Sequence, residues 1–405
     1  MKRDYFFSLL TRALLLILGF AQGIVIARYL LPEGKGLIAV YIVSFNLVLS
    51  ICNLGVRQST SFLLAKQEKS IIELAQTHAV LLPLVWIMSV IALILTYATQ
   101  GLIENIYIVA ALLATTLFKL YVTFANGFAL GKRDIAHFNI SLLLPMVTEF
   151  IFVLLFVVYY KIGVEGYFYS ILLSSIINSI FVYDWAKKID GYTLKPVISV
   201  FRKNGFEIMR KGIAYAIPLF LFGLNYNLDI LILNYFETVS EVGLYSQGVS
   251  LANLLWQIPT AINFVIFSHS VTAENPNAYS RLLWQKTKKL MLAILPLAIG
   301  FTGLVQFLVP WIYGVEFQRS ATIVILLMPG IYFMVAFKVL NGDLAGQGKP
   351  LASLKIFSVA IIANVILNFL FIPKFGINGA AIASSISYVY ASIHFVELYH
   401  NICVK

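Results

Sequence analysis

Apolar runs of about twenty residues alternate with short polar breaks along the whole chain, and this alternation predicts the architecture. A hydrocarbon core of about 30 Å needs roughly 20 apolar residues per helix. On that measure twelve spans are predicted, at about 5–31, 37–64, 75–98, 104–130, 137–160, 166–186, 212–236, 243–271, 287–309, 318–346, 351–372 and 377–401. Connections are short except between spans six and seven, where Asp184 to Lys211 forms the longest polar interval. That interval reads as a loop or a surface helix and is too short to bury a core. The predicted fold class is all-α integral membrane, divided into a six-helix bundle at 1–190, a basic linker at 191–211 and a second six-helix bundle at 212–405.

The pattern also repeats. Asn126, Gly127, Gly131 and Lys132 precede an apolar run and then Gly163-Val164-Glu165-Gly166. Asn341, Gly342, Gly346 and Lys349 precede another run and then Gly376-Ile377-Asn378-Gly379. Glu33-Gly34-Lys35-Gly36-Leu37 answers to Glu241-Val242-Gly243-Leu244, and Leu82-Pro83-Leu84 to Leu295-Pro296-Leu297, at a similar offset. A fixed period of this length marks an internal repeat. Six spans return the chain to its starting side, so the repeats are expected to be parallel, as in one class of transporter.

Charge placement orients the chain. Loops on one side hold 20 Lys and Arg, seven of them in the interval from Asp184 to Lys211, against 5 on the other. The positive-inside bias then puts both termini in the cytoplasm. The net charge of +11 is accounted for as topology signal against anionic headgroups, with no nucleic-acid partner implied. Overall, 60% of residues are hydrophobic and only 12% charged, against about 25% charged in soluble domains. The segment after Met1-Lys2-Arg3 runs on to Leu31 without a small-residue cleavage site, so it reads as an uncleaved first span.

Ionisable residues inside the spans are the sharpest chemical signal. Each costs about 2.5–3.5 kcal/mol or more at the bilayer centre, so such residues face protein or a wet cavity. The basic ones are Arg12, Arg57, Lys119 and Lys338; the acidic ones are Glu149 and Asp229; Arg28 and Asp343 sit nearer helix ends. At about 1.5 Å of rise per residue, Arg12 and Arg57 share a level, and Lys119 and Glu149 fall together near mid-membrane as a candidate ion pair. Asp229, beside Asn225 and Asn227, is a candidate for a coupling cation or proton, or for a basic partner. The set leans basic and so suits an anionic substrate, since guanidinium groups grip phosphate bidentately and ammonium groups hold it as point charges. Prolines at 83, 145, 218, 259, 296 and 329 interrupt spans, as kinks or as hinges. No metal or cofactor is expected: the two cysteines lie far apart, the five histidines lack ligand spacing, and no phosphate-cradling GxxxxGK[ST] loop is present.

The run Gly342-Asp343-Leu344-Ala345-Gly346-Gln347-Gly348-Lys349-Pro350, with Asn364, Leu367-Asn368, Ile372-Pro373 and Phe375-Gly376-Ile377-Asn378-Gly379-Ala380-Ala381-Ile382-Ala383, resembles the signature of bacterial polysaccharide flippases. These are the O-antigen and capsule repeat-unit exporters of the multidrug/oligosaccharidyl-lipid/polysaccharide superfamily. Ala27-Arg28-Tyr29-Leu30, Gly36-Leu37, and Asp229 ahead of Val242-Gly243-Leu244-Tyr245-Ser246 fit as well. The resemblance implies two six-helix bundles around a central cavity, alternating access, an undecaprenyl-diphosphate-linked oligosaccharide as cargo, and the bacterial inner membrane as location. It leaves room for polysaccharide-assembly proteins as partners. Many relatives carry a basic residue after the span-seven aspartate, whereas this chain has Ile230.

The expected substrate contacts are Arg57, Arg12, Lys338, Lys119 and Arg28, with Asp229 and Glu149 as coupling-ion or ion-pair candidates. A multidrug antiporter is the first alternative, although organic-cation cargo calls for an acidic interior. A membrane polysaccharide-assembly enzyme is the second, although its catalytic residues would need a larger outer loop than this chain offers.

Overall fold

The computed structural model describes residues 2–271, 273–349 and 351–404. Pro350 and Lys405 lie outside the described residues, as do the side chains of Lys2, Arg3 and Pro218. Among the described residues every regular element is a helix. They are α1 (Lys2–Cys52), α2 (Val56–Ala65), α3 (Ile71–Thr99), α4 (Ile106–Gly131), α5 (Ile135–Val153), α6 (Val164–Ala186), α7 (Ile198–Phe236), α8 (Val239–Ala252), α9 (Gln257–Val271), α10 (Pro276–Tyr313), α11 (Gln318–Gly346) and α12 (Leu354–Tyr399).

By length and hydropathy, 8 helices in the described residues can cross a membrane, or 9 when the bent α7 counts as one. The first and last of these run 46 and 50 residues, about twice the roughly 20 that one crossing needs. Both are broken midway. Leu31, just before Pro32, takes φ 59 in α1, and Gly376, after Pro373, takes φ 59 in α12. α8 and α9 are each short and are joined by a 3-10 turn at Asn253–Trp256. α7 bends by 51° between its segments Ile198–Ile217 and Phe220–Phe236. The protein is therefore a multi-pass helical membrane protein in which several crossings share one continuous chain path.

Helix starts follow local chemistry. Ser70 and Glu73 form a reciprocal capping box on α3, and Asn105, Asp134, Thr238 and Asn275 cap the free amides of α4, α5, α8 and α10. Such side-chain acceptors satisfy donors that the first helical turn leaves open.

The chain divides into two packing units, one of Met1–Leu30 and Tyr41–Phe220, the other of Leu31–Val40 and Leu221–Lys405. In the first unit α4 packs on α2 and α6, and α6 on α5. Glycine makes the α2–α4 approach possible: a Cβ on Gly127 would crowd Thr60 and the Arg57 carbonyl, and one on Gly131 would crowd Leu64. Part of the linker is helical and belongs here. α7 starts at Ile198, buries Asn204 and Ile208, and sets Glu207 3.2 Å from Lys69 and 3.1 Å from Lys211. These exposed pairs contribute about 0–1 kcal/mol each and fix position more than stability.

In the second unit α11 packs against α8, α9, α10 and α12. Gly342 repeats the role of Gly127, admitting Asn263 of α9 where a Cβ would crowd it. The recurring Asn-Gly motif is thus a close-packing device. The segment Leu31–Val40 joins this unit through Gly36. A Cβ on Gly36 would overlap the Val239 carbonyl oxygen, and a Cβ on Gly243 would overlap the Pro32 carbonyl oxygen. Each glycine accepts the carbonyl four residues before the other.

Candidate functional site

Arg57 stands where a helix begins, not within one. Asn53-Leu54-Gly55 breaks the apolar run, with Leu54 at φ 50 and Gly55 at φ 63. The Asn53 side chain accepts the Gly55 amide at 2.8 Å, and Gly212 of α7 packs so tightly on Gly55 that neither position has room for a Cβ. α2 restarts at Val56, so Arg57 occupies its first turn. The positive end of a helix dipole and a largely buried guanidinium here coincide, a pairing that repels within the protein and attracts anions from outside it. Among the described residues no carboxylate lies within ion-pair distance of Arg57.

Arg12 and Arg28 are exposed on α1. Lys119 and Glu149, expected to pair, do not form a direct ion pair. The Lys119 ammonium lies over the Phe45 ring, 5.1 Å from its centroid, and Glu149 accepts from Gln22 Nε2 at 2.6 Å. Depth counting placed the two at one level but carries no information on which way each side chain leaves its helix.

In the second unit Lys338 is also held by rings. Its ammonium sits 4.2 Å from the centroid of Trp256 and 5.1 Å from that of Tyr226. Trp256 is fixed by donating Nε1–H to the Ile331 carbonyl at 2.8 Å, and Tyr388 closes the cluster 5.6 Å from Trp256 and 5.8 Å from Tyr226. A desolvated cation on such a face gains about 2 kcal/mol or more. Lys119 and Lys338 precede the repeated Asn126 and Asn341 by seven and three residues, one helical turn different, so each unit carries a ring-seated lysine on the same recurring helix.

Asp229 is 2% exposed, and its Oδ2 accepts from the hydroxyls of Tyr245 and, at 3.1 Å, Ser384. Ser384 in turn accepts from Asn364 Nδ2 at 3.2 Å, and Asn368 Nδ2 donates to the Asn364 side-chain oxygen at 2.9 Å. Oxygens remain unspent here: Asn368 Oδ1 and both polar atoms of the neighbouring Asn225 are buried without a partner. A buried polar group without a partner costs about 1–3 kcal/mol, so these amides are placed to interact with a small polar species. The geometry supplies one carboxylate and several neutral oxygens, a donor set suited to a singly charged cation or a proton. Among the described residues no group of His, Cys, Asp and Glu has the makings of a multi-ligand metal site.

Asp343, read from the sequence as a helix-end residue, is fully buried. It accepts from Ser270 and Ser280 at 2.6 Å each, from Tyr399 at 2.5 Å and from Gln347 at 3.1 Å. That knot ties α9, α10, α11 and α12 together. The sequence reading also passed over Gln22, Trp256 and Tyr388. The four-residue spacing of Asn364 and Asn368 on an apolar run is a signal that finds the Asp229 cluster. Nothing comparable marks the aromatic cage, because its three rings come from three separate elements and its lysine from a fourth.

A family model described as "Polysaccharide biosynthesis protein" matches residues 25–322. An uncharacterized membrane protein of Methanocaldococcus jannaschii is 27% identical over 306 residues, covering 71% of this chain and 58% of the relative. The probable flippase AglR of Haloferax volcanii is 28% identical over 244 residues, covering 58% of this chain and 49% of the relative. The chain thus spans about half the length of the curated relatives it matches. Two solved structures share its fold with a TM-score of 0.79 each. One is the lipid II flippase MurJ in an inward closed conformation, 14% identical and covering 98% of this chain and 87% of that one. The other is an inward-facing multidrug resistance MATE family transporter of the MOP superfamily, 16% identical and covering 98% of both chains.

Proposed function

The chain belongs to the polysaccharide biosynthesis protein family, within the multidrug/oligosaccharidyl-lipid/polysaccharide superfamily, and on that premise we propose that it is a flippase for a polyprenyl-diphosphate-linked oligosaccharide. The cargo passes from the cytoplasmic to the outer leaflet by alternating access, and no covalent bond is made or broken. One observation carries this reading: Arg57, largely buried at the start of a broken helix and without a carboxylate partner among the described residues. A guanidinium forks onto two phosphate oxygens, and backbone amides of a helix start add to it. Arg12, Arg28 and Lys119 of the first unit and Lys338 of the second are the further proposed cargo contacts, each acting within its own unit. The six-helix bundles expected at 1–190 and 212–405 are the proposed working halves, with the bacterial inner membrane as their setting and the termini in the cytoplasm.

Asp229 with Asn225, Asn364, Asn368 and Ser384 is the proposed coupling site for sodium or a proton. Its single carboxylate matches the charge of either, and its unpartnered amide oxygens await a ligand. A multidrug antiporter, suggested by the MATE likeness, fits less well, because Arg57, without a carboxylate partner among the described residues, would repel an organic cation.

The test is export of surface polysaccharide in cells lacking the native gene. Arg57→Ala is expected to abolish export at normal protein abundance, and Arg57→Lys to restore part of it, since charge returns without the bidentate fork. Wild-type export by Arg57→Ala overturns the reading.

A further inference from the structure

α9 and α10 are consecutive, yet they scarcely touch. Each packs on α11 instead, and Asp343 clamps their adjoining ends by accepting from Ser270 of α9 and Ser280 of α10. Beyond the clamp the two helices leave a slot. Two cavities follow one another along it. The first, of about 350 Å³, lies between Ile262 and Ile266 of α9 and Leu283 and Leu290 of α10, floored by Val339 of α11. The second, of about 450 Å³, lies between Leu254 and Ile258 and Leu297, Gly300 and Leu304. The walls are almost wholly apolar until the clamped end, where Lys286, His269, Tyr279 and Thr287 line the first cavity. Lys286 has no carboxylate within ion-pair distance among the described residues, and Lys288 and Lys289 follow it.

Size and charge together select an occupant. From Lys286 to Leu304 the two cavities follow 18 residues of α10, about 27 Å at 1.5 Å per residue. One leaflet offers about half of a 30 Å hydrocarbon core. The slot therefore outruns a phospholipid tail, which stays in its own leaflet, and suits one longer apolar chain with an anion at the lysine end. We infer that the α9–α10 slot seats the polyprenyl chain of the lipid-linked cargo, with its phosphate against Lys286. This rests on the flippase reading for the identity of the cargo and adds a place for its tail that the Arg57 site does not supply.

Gly300 gives a clean probe, because a Cβ there meets nothing within 4 Å. Gly300→Phe puts a ring into the slot without disturbing the helices around it, and Lys286→Gln removes the head contact. The full-length protein in detergent would be titrated with undecaprenyl phosphate by native mass spectrometry, with phosphatidylglycerol as the competitor. Translocation of the lipid-linked saccharide in vesicles is measured in parallel on the wild type. The expected result is tenfold or greater loss of undecaprenyl phosphate binding in each variant, with thermal midpoints unchanged and phosphatidylglycerol a poor competitor. Wild-type affinity in both variants, no binding by the wild type, or displacement by equimolar phosphatidylglycerol each overturns the slot assignment. If translocation proceeds in any of those cases, the flippase reading stands alone. If slot-dependent binding is found without translocation, the slot stands and the flippase reading falls.

Discussion

The second unit buries two aspartates and treats them oppositely. Asp343 is surrounded by four donors from three other positions on the bundle and one turn of its own helix, and every oxygen it offers is used. Asp229 has two hydroxyl donors on Oδ2 and the Ile230 amide on Oδ1, but the Asn225 and Asn368 side-chain oxygens beside it have no partner among the described residues. Burial alone therefore does not mark a functional carboxylate. What distinguishes the two is the surplus: Asp343 completes its surroundings, whereas Asp229 leaves acceptors for something that arrives.

Removing each carboxylate should break this contrast in opposite ways. Asp343→Ala takes the carboxylate from Ser280 and Tyr399, while Ser270 keeps the residue-343 carbonyl and Gln347 keeps Ser280 Oγ, and each buried group left unpaired costs about 1–3 kcal/mol. Most of the protein is expected to be lost on detergent extraction, as read by size-exclusion recovery; normal recovery would make the knot dispensable. Asp229→Asn keeps size and most hydrogen bonds, so recovery should be normal. The wild type should gain about 2.7 kcal/mol from sodium at a hundredfold excess over Kd, and the variant nothing. The measurement is the thermal midpoint with sodium against choline at equal ionic strength. A sodium response that survives the substitution moves the cation elsewhere.

Two tyrosines sharpen the comparison at smaller scale. Tyr399→Phe deletes one donor to a buried carboxylate and should lower stability by about 1.5–3 kcal/mol. Tyr245→Phe deletes the donor that competes with a cation for Asp229 Oδ2, so cation affinity should rise, by less than tenfold. A fall in affinity would mean that the Tyr245 oxygen is itself a ligand.

Much of this was legible in the chain beforehand, and the illegible part has a common cause. Apolar runs located the helices, and the Asn-Gly repeats located close crossings, because both depend on local letters. The break before Arg57 was written as Asn53-Leu54-Gly55 but sits in an apolar run that hydropathy reads as continuous. Counting residues puts Lys119 and Glu149 at one depth, but the direction in which each side chain leaves its helix depends on helix bends that no count supplies, and each has another partner. The cage around Lys338 draws on α7, the turn before α9, α11 and α12, so it exists only once the unit is packed.

The crossing of Gly36 and Gly243 has one more implication. Each glycine leaves room for the carbonyl four residues before its counterpart, and the two positions are the same letter of the repeated text. Lock and key are here one shape, cut twice. A side chain at either glycine would meet the carbonyl oxygen that the other segment presents, so the joint fails from either side by the same clash.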